Sequence, residues 1–348
     1  MSLFVSTLQR RNLGRPPVWF MRQAGRYHRH YQELRRAHSF VDLCKQPELA
    51  RDTALGPIQD FNFDAAILFS DLLFPLESLG MPLDYTPGPT LGWHLRSSTD
   101  LHRFTPSSDL DHTLAFQADA VRLLRQALPD SKGLLGFVGG PLTLYVYAVE
   151  GSHVGDLASA RAGLTDGRFD GFLDRLIPLL ARNMAAQFKA GADTIAVLDT
   201  SAGSLPPGQF QAYAVPALQR LFEAFLELCP GAPITYYSKQ TGPEHWNTLR
   251  PLPIACLGID WSHPINRVLA ELSDRWAIQG NIDPHWLLLP TDQFESQVRS
   301  VFESVQKLPA RCRQGWVCGL GHGVLPGTPE SHVHRFLQLQ REYFGDTP

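Results

Sequence analysis

Eight short apolar runs recur along the chain, and in each the hydrophobic residues are consecutive rather than alternating with polar ones. Continuous runs of this kind are typical of strands covered on both faces, as in a parallel sheet. The pattern therefore predicts eight buried strands, which span residues 18–21, 63–70, 134–139, 193–199, 233–238, 254–260, 276–281 and 315–321.

Amphipathic segments separate these runs and carry apolar residues at helical spacing. Alternation of eight strands with helices predicts an α/β fold, a somewhat distorted (β/α)8 barrel of the TIM type; a doubly wound sheet is the alternative. The predicted helices include residues 47–61, 172–190, 207–229, 290–306 and 328–344.

The second and third predicted strands lie about 60 residues apart, farther than any other neighbours. The intervening chain contains a turn-rich segment, 84–93, and a polar segment, 97–109, but lacks enough hydrophobic residues for a core of its own. We therefore expect an insertion in one domain that spans residues 1–348.

The composition is that of an ordinary globular protein, with 44% hydrophobic and 19% charged residues and a net charge of −3. Neither a basic block nor an apolar run of about 20 residues is present, so we expect no nucleic-acid partner, no membrane partner and a cytoplasmic location. The five cysteines are scattered along the chain, which predicts free and mostly buried thiols; they are Cys44, Cys229, Cys256, Cys312 and Cys318.

Polar residues follow several of the predicted strands. In a (β/α)8 barrel the loops after the strands share one mouth, where the chemistry takes place. We expect to find there the residues that follow the first, second, fourth and eighth strands, namely Arg22, Arg26, Ser70, Asp71, Asp199, Thr200, Ser201 and His322.

Arg22 and Arg26 flank Gln23, Ala24 and Gly25 in a segment without an acidic residue. One interpretation pairs the two arginines with surface carboxylates. The alternative is a receptor for a multiply anionic ligand, because a guanidinium offers a planar fork that matches carboxylate or phosphate. Gly25 allows the backbone to come close to such a ligand.

One acidic and two aromatic positions have open interpretations. Asp71 either caps the following segment or faces the arginines as a fixed negative charge that accepts several N–H donors. Tyr145 and Tyr147 each point to the core, to solvent or to the mouth. His322, between glycines, is predicted to lie on a loop and to donate one hydrogen bond and accept another.

Common cofactor and nucleophile motifs are absent: the sequence contains no GxxxxGK[ST], HExxH or GxSxG. The pairs His28-x-His30 and His332-x-His334 have metal-ligand spacing but no cysteine or acidic partner in the same segment. We interpret both pairs as solvated helix faces and predict no metal.

Seven segments of the chain form one recognisable set. Two of them are "PVWFMRQAGRY" and "GFVGGPLTLYVYAVEG", and the other five are "AAILFSD", "LDTSAGSL", "LGIDW", "QGNIDP" and "GLGHGVLPGTP". The first two resemble the signature segments of the uroporphyrinogen decarboxylase family, and the others match that family's pattern in order. The resemblance implies a homodimeric, cofactor-free carboxy-lyase on a (β/α)8 barrel. Such an enzyme removes the four acetate carboxyls of uroporphyrinogen III as CO2 and yields coproporphyrinogen III in haem biosynthesis.

The resemblance also implies the site residues. It places Asp71 as the stabiliser of the transition state and gives catalytic roles to Arg22, Arg26, Tyr147 and His322. The substrate-binding residues that it implies are Arg22, Gln23, Ala24, Gly25, Arg26, Asp71, Phe137, Tyr147, Thr200 and His322.

The chain departs from the family pattern in three places. His28-Arg29-His30 stands where Leu-Pro-Glu is common, which predicts extra positive charge near the mouth. Gly319 replaces a common Asn, and Thr200 replaces a Ser while keeping the hydroxyl.

Two rival functions remain from the sequence. A corrinoid-dependent methyltransferase on a related barrel needs a zinc-binding His-x-Cys, which occurs nowhere in the chain. A non-catalytic tetrapyrrole-binding protein is expected to have lost Asp71 or one of the arginines, and this chain keeps them all.

Overall fold

The structure is a computed structural model that describes residues 1–86, 88–105 and 110–345. Residue 87 in the turn-rich segment, residues 106–109 in the polar segment and the terminal residues 346–348 lie outside the described residues.

A parallel sheet of seven strands forms the centre of the molecule, in the order β1-β4-β5-β6-β7-β8-β9, and a separate antiparallel pair joins β2 to β3. Every residue of β4, β5, β6, β8 and β9 is buried, as the continuous apolar runs predict. The strands are β1 Ala65–Ile67, β2 Leu83–Asp84, β3 Thr90–Leu91, β4 Gly133–Gly139, β5 Thr194–Leu198, β6 Ile234–Tyr237, β7 Cys256–Gly258, β8 Ala277–Ile282 and β9 Trp316–Leu320.

The first predicted strand, 18–21, is reduced to a single parallel bridge between Val18 and Cys318. Cys318 N donates to the Pro17 carbonyl at 2.8 Å, and Asp64 N donates to the Val18 carbonyl at 2.9 Å. Pro17 has no N–H for a ladder, and Arg22 turns the chain with a φ of 61°. The segment therefore bonds β9 on one side and the start of β1 on the other, although it is too short to form a full strand.

Helices flank the sheet and pack their apolar faces on it. Within the described ranges they are α1 Leu3–Leu8, α2 Arg29–Ala37, α3 Phe40–Lys45, α4 Pro47–Phe61, α5 Phe74–Ser78, α6 Leu110–Thr113, α7 Ala115–Ala127, α8 Pro141–Glu150, α9 Ala158–Ala162, α10 Arg168–Lys189, α11 Pro207–Gln209, α12 Val215–Leu228, α13 Pro243–Leu249, α14 Ile265–Leu272, α15 Thr291–Gln306, α16 Ala310–Arg313 and α17 Glu330–Phe344. Short 3₁₀ turns cover Ser98–Arg103, Ala202–Ser204 and Pro284–Leu288.

The predicted helices 47–61, 172–190, 290–306 and 328–344 are recovered as α4, α10, α15 and α17. The predicted helix 207–229 is interrupted, because a π-helical turn, Phe210–Ala214, separates α11 from α12 just before Pro216. Between β1 and β4 the described chain contains α5, the β2–β3 pair, a 3₁₀ turn, α6 and α7.

Three further findings concern the side chains and helices that the structure describes. No helix there is both long and apolar enough to span a bilayer. No group of three metal-ligating side chains comes together in the same ranges. All five cysteines are free and buried, as predicted.

Candidate active site

A cavity of about 970 Å³, including its open mouth, lies where the strands end. Most of the predicted site residues line it, although they come from distant parts of the chain. Those residues are Arg22, Gln23, Ala24, Asp71, Phe137, Tyr147, Thr200 and His322. Gly25 and Arg26 are not among the lining residues.

Arg22 is held at the cavity by an unusual backbone conformation. Its φ of 61° is left-handed, and its side chain runs over Gly323, where a Cβ would come within 2.5 Å of the Arg22 Cδ. Gly25 is needed nearby, since a Cβ there would lie 3.0 Å from the Arg22 carbonyl oxygen. The two glycines thus leave room for Arg22.

Arg26 lies outside the cavity in an exposed turn. Its carbonyl accepts a hydrogen bond from Gln32 Nε2 at 2.7 Å. Across the ranges that the structure describes, its guanidinium makes no ion pair. The two arginines of the signature segment therefore occupy different environments, and only Arg22 shares the cavity with Asp71.

Gln23 is buried, and its amide bonds backbone atoms. Oε1 accepts from Phe20 N at 3.3 Å, and Nε2 donates to the Ala65 carbonyl at 3.2 Å. The Tyr27 hydroxyl donates to the Gln23 carbonyl at 2.8 Å. These bonds tie the arginine-bearing turn to β1, so Gln23 supports the position of Arg22.

Asp71 combines features of both interpretations made from the sequence. Its Oδ1 accepts a hydrogen bond from Leu73 N at 2.9 Å, as a capping residue does, while the residue also lines the cavity. Burial raises the pKa of the Asp71 carboxyl above its usual value, and the Leu73 N–H, the Tyr85 hydroxyl and the Arg22 charge oppose that rise.

Tyr85 is a contributor that the sequence did not reveal, since it lies in the turn-rich segment just after β2. Its ring packs against Phe40 and Phe74, with centroids 4.9 and 5.9 Å away. The Tyr85 hydroxyl is buried, and burial together with the nearby Asp71 charge raises the pKa of this tyrosine.

His322 stacks on Tyr237, with ring centroids 5.9 Å apart and planes inclined by 11°. The Tyr237 hydroxyl donates to the Gly321 carbonyl at 2.8 Å and lies 3.1 Å from His322 Nδ1. Since the Tyr237 hydroxyl donates its proton to the Gly321 carbonyl, it can only accept a hydrogen bond from His322. The ring proton is therefore assigned to Nδ1, and Nε2 is left as an acceptor. Burial, then the charges of Arg22 and Lys239, lower the pKa of His322 to about 4.

Of the two tyrosines left open by the sequence, Tyr145 belongs to the core and Tyr147 lines the cavity. The Tyr147 hydroxyl lies 2.5 Å from Nδ1 of His153, a second residue that the sequence gave no reason to select. Burial raises the pKa of Tyr147, so its hydroxyl stays protonated at neutral pH.

Phe137 on β4 supplies an apolar wall and is only 7% exposed. Thr200 is partly buried at the end of β5, next to the fully buried Asp199. Asp199 was expected at the mouth but is not among the lining residues: its Oδ1 accepts from Thr143 N at 2.8 Å in the first turn of α8. Burial raises the pKa of Asp199 to about 6.

The prediction that both histidine pairs lie on solvated helix faces is wrong for His28 and His332, which are buried. His28 Nε2 lies 2.7 Å from Asp60 Oδ2, and burial lowers the pKa of His28. His332 stacks on Phe294, and its Nδ1 is 2.9 Å from the Leu287 carbonyl. Both are packing residues.

The rest of the His28-Arg29-His30 segment also packs away from the cavity. The His30 ring lies against Gly56 on α4, where a Cβ would come within 2.3 Å of it. Arg29 forms an exposed pair with Glu33 at 3.3 Å. His28 and His30 thus join the start of α2 to α4, and the Arg29 charge is paired with Glu33.

Comparison with known proteins places this site in a family. The family model described as uroporphyrinogen decarboxylase (URO-D) matches residues 1–343. The chain is 34% identical to the uroporphyrinogen decarboxylase of Roseiflexus sp. (strain RS-1), with 98% of each chain covered. It is 35% identical to the uroporphyrinogen decarboxylase of Citrifermentans bemidjiense, with 90% of each covered.

Solved structures resemble the fold at low sequence identity. A methyltransferase from Methanosarcina mazei superposes with a TM-score of 0.77 at 17% identity, covering 99% of both chains. A putative vitamin-B12 independent methionine synthase from Listeria monocytogenes gives a TM-score of 0.54 at 12% identity, covering 96% of this chain and 97% of that one. These likenesses concern the fold alone, whereas the full-length family match and the identities above show that this chain belongs to the uroporphyrinogen decarboxylase family.

Proposed function

We propose that the protein is a carboxy-lyase that converts uroporphyrinogen III to coproporphyrinogen III in haem biosynthesis, with release of four CO2. The observation that carries this proposal is the meeting of Arg22 and Asp71 in one cavity of about 970 Å³. A positive charge at the rim and a carboxylate further in complement a substrate with carboxylates outside and N–H groups inside.

Loss of CO2 from an acetate side chain leaves an electron pair that must be stabilised. Protonation of the pyrrole ring provides that stabilisation, since the cationic ring accepts the pair as CO2 departs. The side-chain carbon is then protonated and the ring proton is released, so one proton is taken up for each CO2 lost. The substrate thus takes the part that a cofactor has in other decarboxylases, and we propose that this chain uses neither cofactor nor metal.

In this proposal Asp71 accepts the pyrrole N–H groups and stabilises the positive charge that develops on the ring. Removal of one group that stabilises charge in a transition state typically lowers the rate by a factor of about 10²–10³. Tyr85 and the Leu73 N–H act on Asp71 by opposing the effect of burial on its pKa.

The other cavity residues bind and orient the substrate. Arg22 binds its carboxylates at the rim, Thr200 and Tyr147 offer hydroxyl groups, and the His322 Nε2 lone pair accepts an N–H group. Phe137 limits the access of water, which strengthens each electrostatic interaction. Arg26 contributes from outside the cavity by attracting the anionic substrate.

We propose that the fold is one closed (β/α)8 barrel domain over residues 1–348, in which residues 17–19 take the place of a strand between β9 and β1. Backbone hydrogen bonds on both sides of Val18 support this arrangement. The insertion that we propose then lies between β1 and β4. We also propose a homodimer, as the family resemblance implies.

The test is anaerobic incubation of the protein with enzymatically generated uroporphyrinogen III, followed by chromatography of the oxidised products. We expect porphyrins with seven, six, five and four carboxyls to appear in turn, and Asp71→Asn to slow every step by about 10²–10³. Unchanged substrate would contradict the proposal. Stoichiometric zinc or methyl transfer would favour a methyltransferase, and binding without turnover would favour a tetrapyrrole carrier.

A further inference from the structure

His153 and Tyr147 form a pair that connects the cavity with solvent. Tyr147 lies on α8 and lines the cavity, whereas His153 is exposed in the loop that follows the helix. The Tyr147 hydroxyl and His153 Nδ1 are 2.5 Å apart, and the two ring centroids are 5.4 Å apart.

The end of α8 builds this contact from local sequence. Gly151 ends the helix with a φ of 72°, a conformation that glycine adopts without strain, and its N–H donates to the Tyr147 carbonyl at 2.8 Å. Val154 N then donates to Ser152 Oγ at 3.1 Å. The chain therefore turns back so that His153 returns over the tyrosine six residues earlier.

Two positive charges act on His153. They belong to Arg22, on the turn after Val18, and to Lys239, which follows β6. The neutral His322, which follows β9, is also a neighbour of His153. Burial, then the Arg22 and Lys239 charges, lower the pKa of His153. The ring is therefore neutral at neutral pH, and when it takes up a proton it gives that proton up readily.

We propose that His153 is a positioning residue that acts through Tyr147 to deliver protons from solvent to the cavity; the inference rests on the proposed decarboxylation. In the neutral pair the Tyr147 hydroxyl donates to Nδ1. Protonation of His153 reverses this bond, so that Nδ1–H donates to the Tyr147 oxygen and the hydroxyl proton turns towards the cavity.

The proton count of the reaction requires such a supply. Each acetate carboxylate leaves as CO2, its bonding electron pair stays on the substrate, and the side-chain carbon takes up one proton to become a methyl. In the proposed step Tyr147 gives its hydroxyl proton to that carbon and takes the Nδ1 proton of His153. His153 becomes neutral and is protonated again by water, while Tyr147 is unchanged overall.

The first test is chemical rescue of His153→Ala by imidazole. Proton donors of this kind contribute about 10²–10⁴ in rate, so we expect kcat to fall at least tenfold with KM nearly unchanged. Added imidazole should restore kcat in proportion to its protonated fraction as pH is varied. Tyr147→Phe should be slow and should not respond to imidazole. His102→Gln, at an exposed histidine in the 3₁₀ turn Ser98–Arg103, is the matched control.

The second test does not depend on turnover. NMR titration of the His153 ring should give a pKa below 6.5 in the native protein and a changed pKa in Tyr147→Phe, since the hydroxyl partner is lost. Normal kcat in His153→Ala, or a loss of kcat that imidazole does not restore, would overturn the proton-delivery proposal while the native enzyme still makes coproporphyrinogen. A native protein that releases no CO2 would overturn the proposed function and this inference together.

Discussion

The hydroxyl of Tyr237 lies 3.1 Å from Nδ1 of His322 and donates its own proton to the Gly321 carbonyl, 2.8 Å away. This relationship fixes which His322 nitrogen carries the proton. An imidazole held neutral with Nε2 free towards the cavity is a hydrogen-bond acceptor, so His322 is suited to orient a donor group of the substrate rather than to provide positive charge.

Tyr237→Phe should remove the preference of His322 for the tautomer with its proton on Nδ1. Without the hydroxyl oxygen, Nδ1–H loses its acceptor and the Gly321 carbonyl loses its donor. We expect kcat to fall about tenfold and the free energy of unfolding to fall by about 1–3 kcal/mol.

Nitrogen chemical shifts of His322 measure the tautomer directly. Tyr343→Phe, which removes a hydroxyl bond to Glu303 on the remote α15, is the control. An unchanged tautomer in Tyr237→Phe would contradict the assignment.

Tyr85→Phe should alter the chemistry through Asp71. The Tyr85 hydroxyl is one of the groups that lower the pKa of Asp71 against the effect of burial. Its removal should raise that pKa further, so the acid limb of the pH–rate profile should move to higher pH. We therefore expect kcat/KM at acid pH to fall below that of the native protein, because a larger fraction of Asp71 is then protonated.

The control for this change is Tyr213→Phe, at a partly buried tyrosine of the π-helical turn. Its profile should match that of the native protein. A Tyr85→Phe enzyme whose acid limb stays in place would show that the hydroxyl does not act on Asp71.

The sequence predicted the parts of the fold that depend on buried strands and on long amphipathic helices. Continuous apolar runs identified seven of the strands, because strands covered on both faces need apolar side chains at every position. The first run failed to become a strand because Pro17 and the turn at Arg22 leave room for one bridge only. Similarly, the helix over 207–229 is divided by a π-helical turn, which hydrophobic periodicity does not reveal.

Two kinds of sequence signal predicted residues that line the cavity. The convergence of strand ends predicted Arg22, Asp71, Thr200 and His322, and the family resemblance added residues such as Phe137 and Tyr147. Tyr85 and His153 were missed because they lie in loops that return to the cavity through turn geometry, which residue type and spacing do not encode. The buried His28 was misjudged for a related reason: its partner Asp60 lies 32 positions away, and the pairing depends on how α2 meets α4.

Arg22→Ala and Arg26→Ala should differ in effect. Arg22 lines the cavity and its charge helps to lower the pKa of His322, so its loss should lower kcat, raise KM and raise that pKa above about 4. Arg26→Ala should chiefly raise KM, since Arg26 acts at a distance through an exposed charge.

Steady-state kinetics at low and high salt checks this, because screening by salt should reduce the effect of Arg26→Ala on KM more than the effect of Arg22→Ala. Arg29→Ala, at an exposed residue on α2, is the matched control. Equal losses of kcat in the Arg22 and Arg26 variants would contradict the distinction.

Asp199→Asn should change how stability depends on pH. The pKa of Asp199 is about 6 in the folded protein, against 3.8 as the ordinary value, because the carboxyl is fully buried. A raised carboxyl pKa means that the folded state prefers the protonated form, so stability is lost as pH rises from about 4 to 6. The difference corresponds to about 3 kcal/mol in the free energy of unfolding. An Asn cannot ionise, yet its Oδ1 still accepts from Thr143 N.

We therefore expect Asp199→Asn to gain about 3 kcal/mol relative to the native protein between pH 4 and pH 7. Urea unfolding at several pH values in that range measures the gain, and contributions from other titrating groups cancel in the difference between the two proteins. Asp130→Asn, at an exposed aspartate, should show a constant difference. If the difference in free energy of unfolding between Asp199→Asn and the native protein is also constant, Asp199 is ionised over the whole range from pH 4 to pH 7. The hydrogen-bond donors around the carboxyl would then outweigh the effect of its burial on the pKa. If the stability of Asp199→Asn relative to the native protein instead rises with pH, then ionisation of Asp199 costs stability. Asp199 would in that case be the carboxyl that holds the first turn of α8, the helix that carries Tyr147.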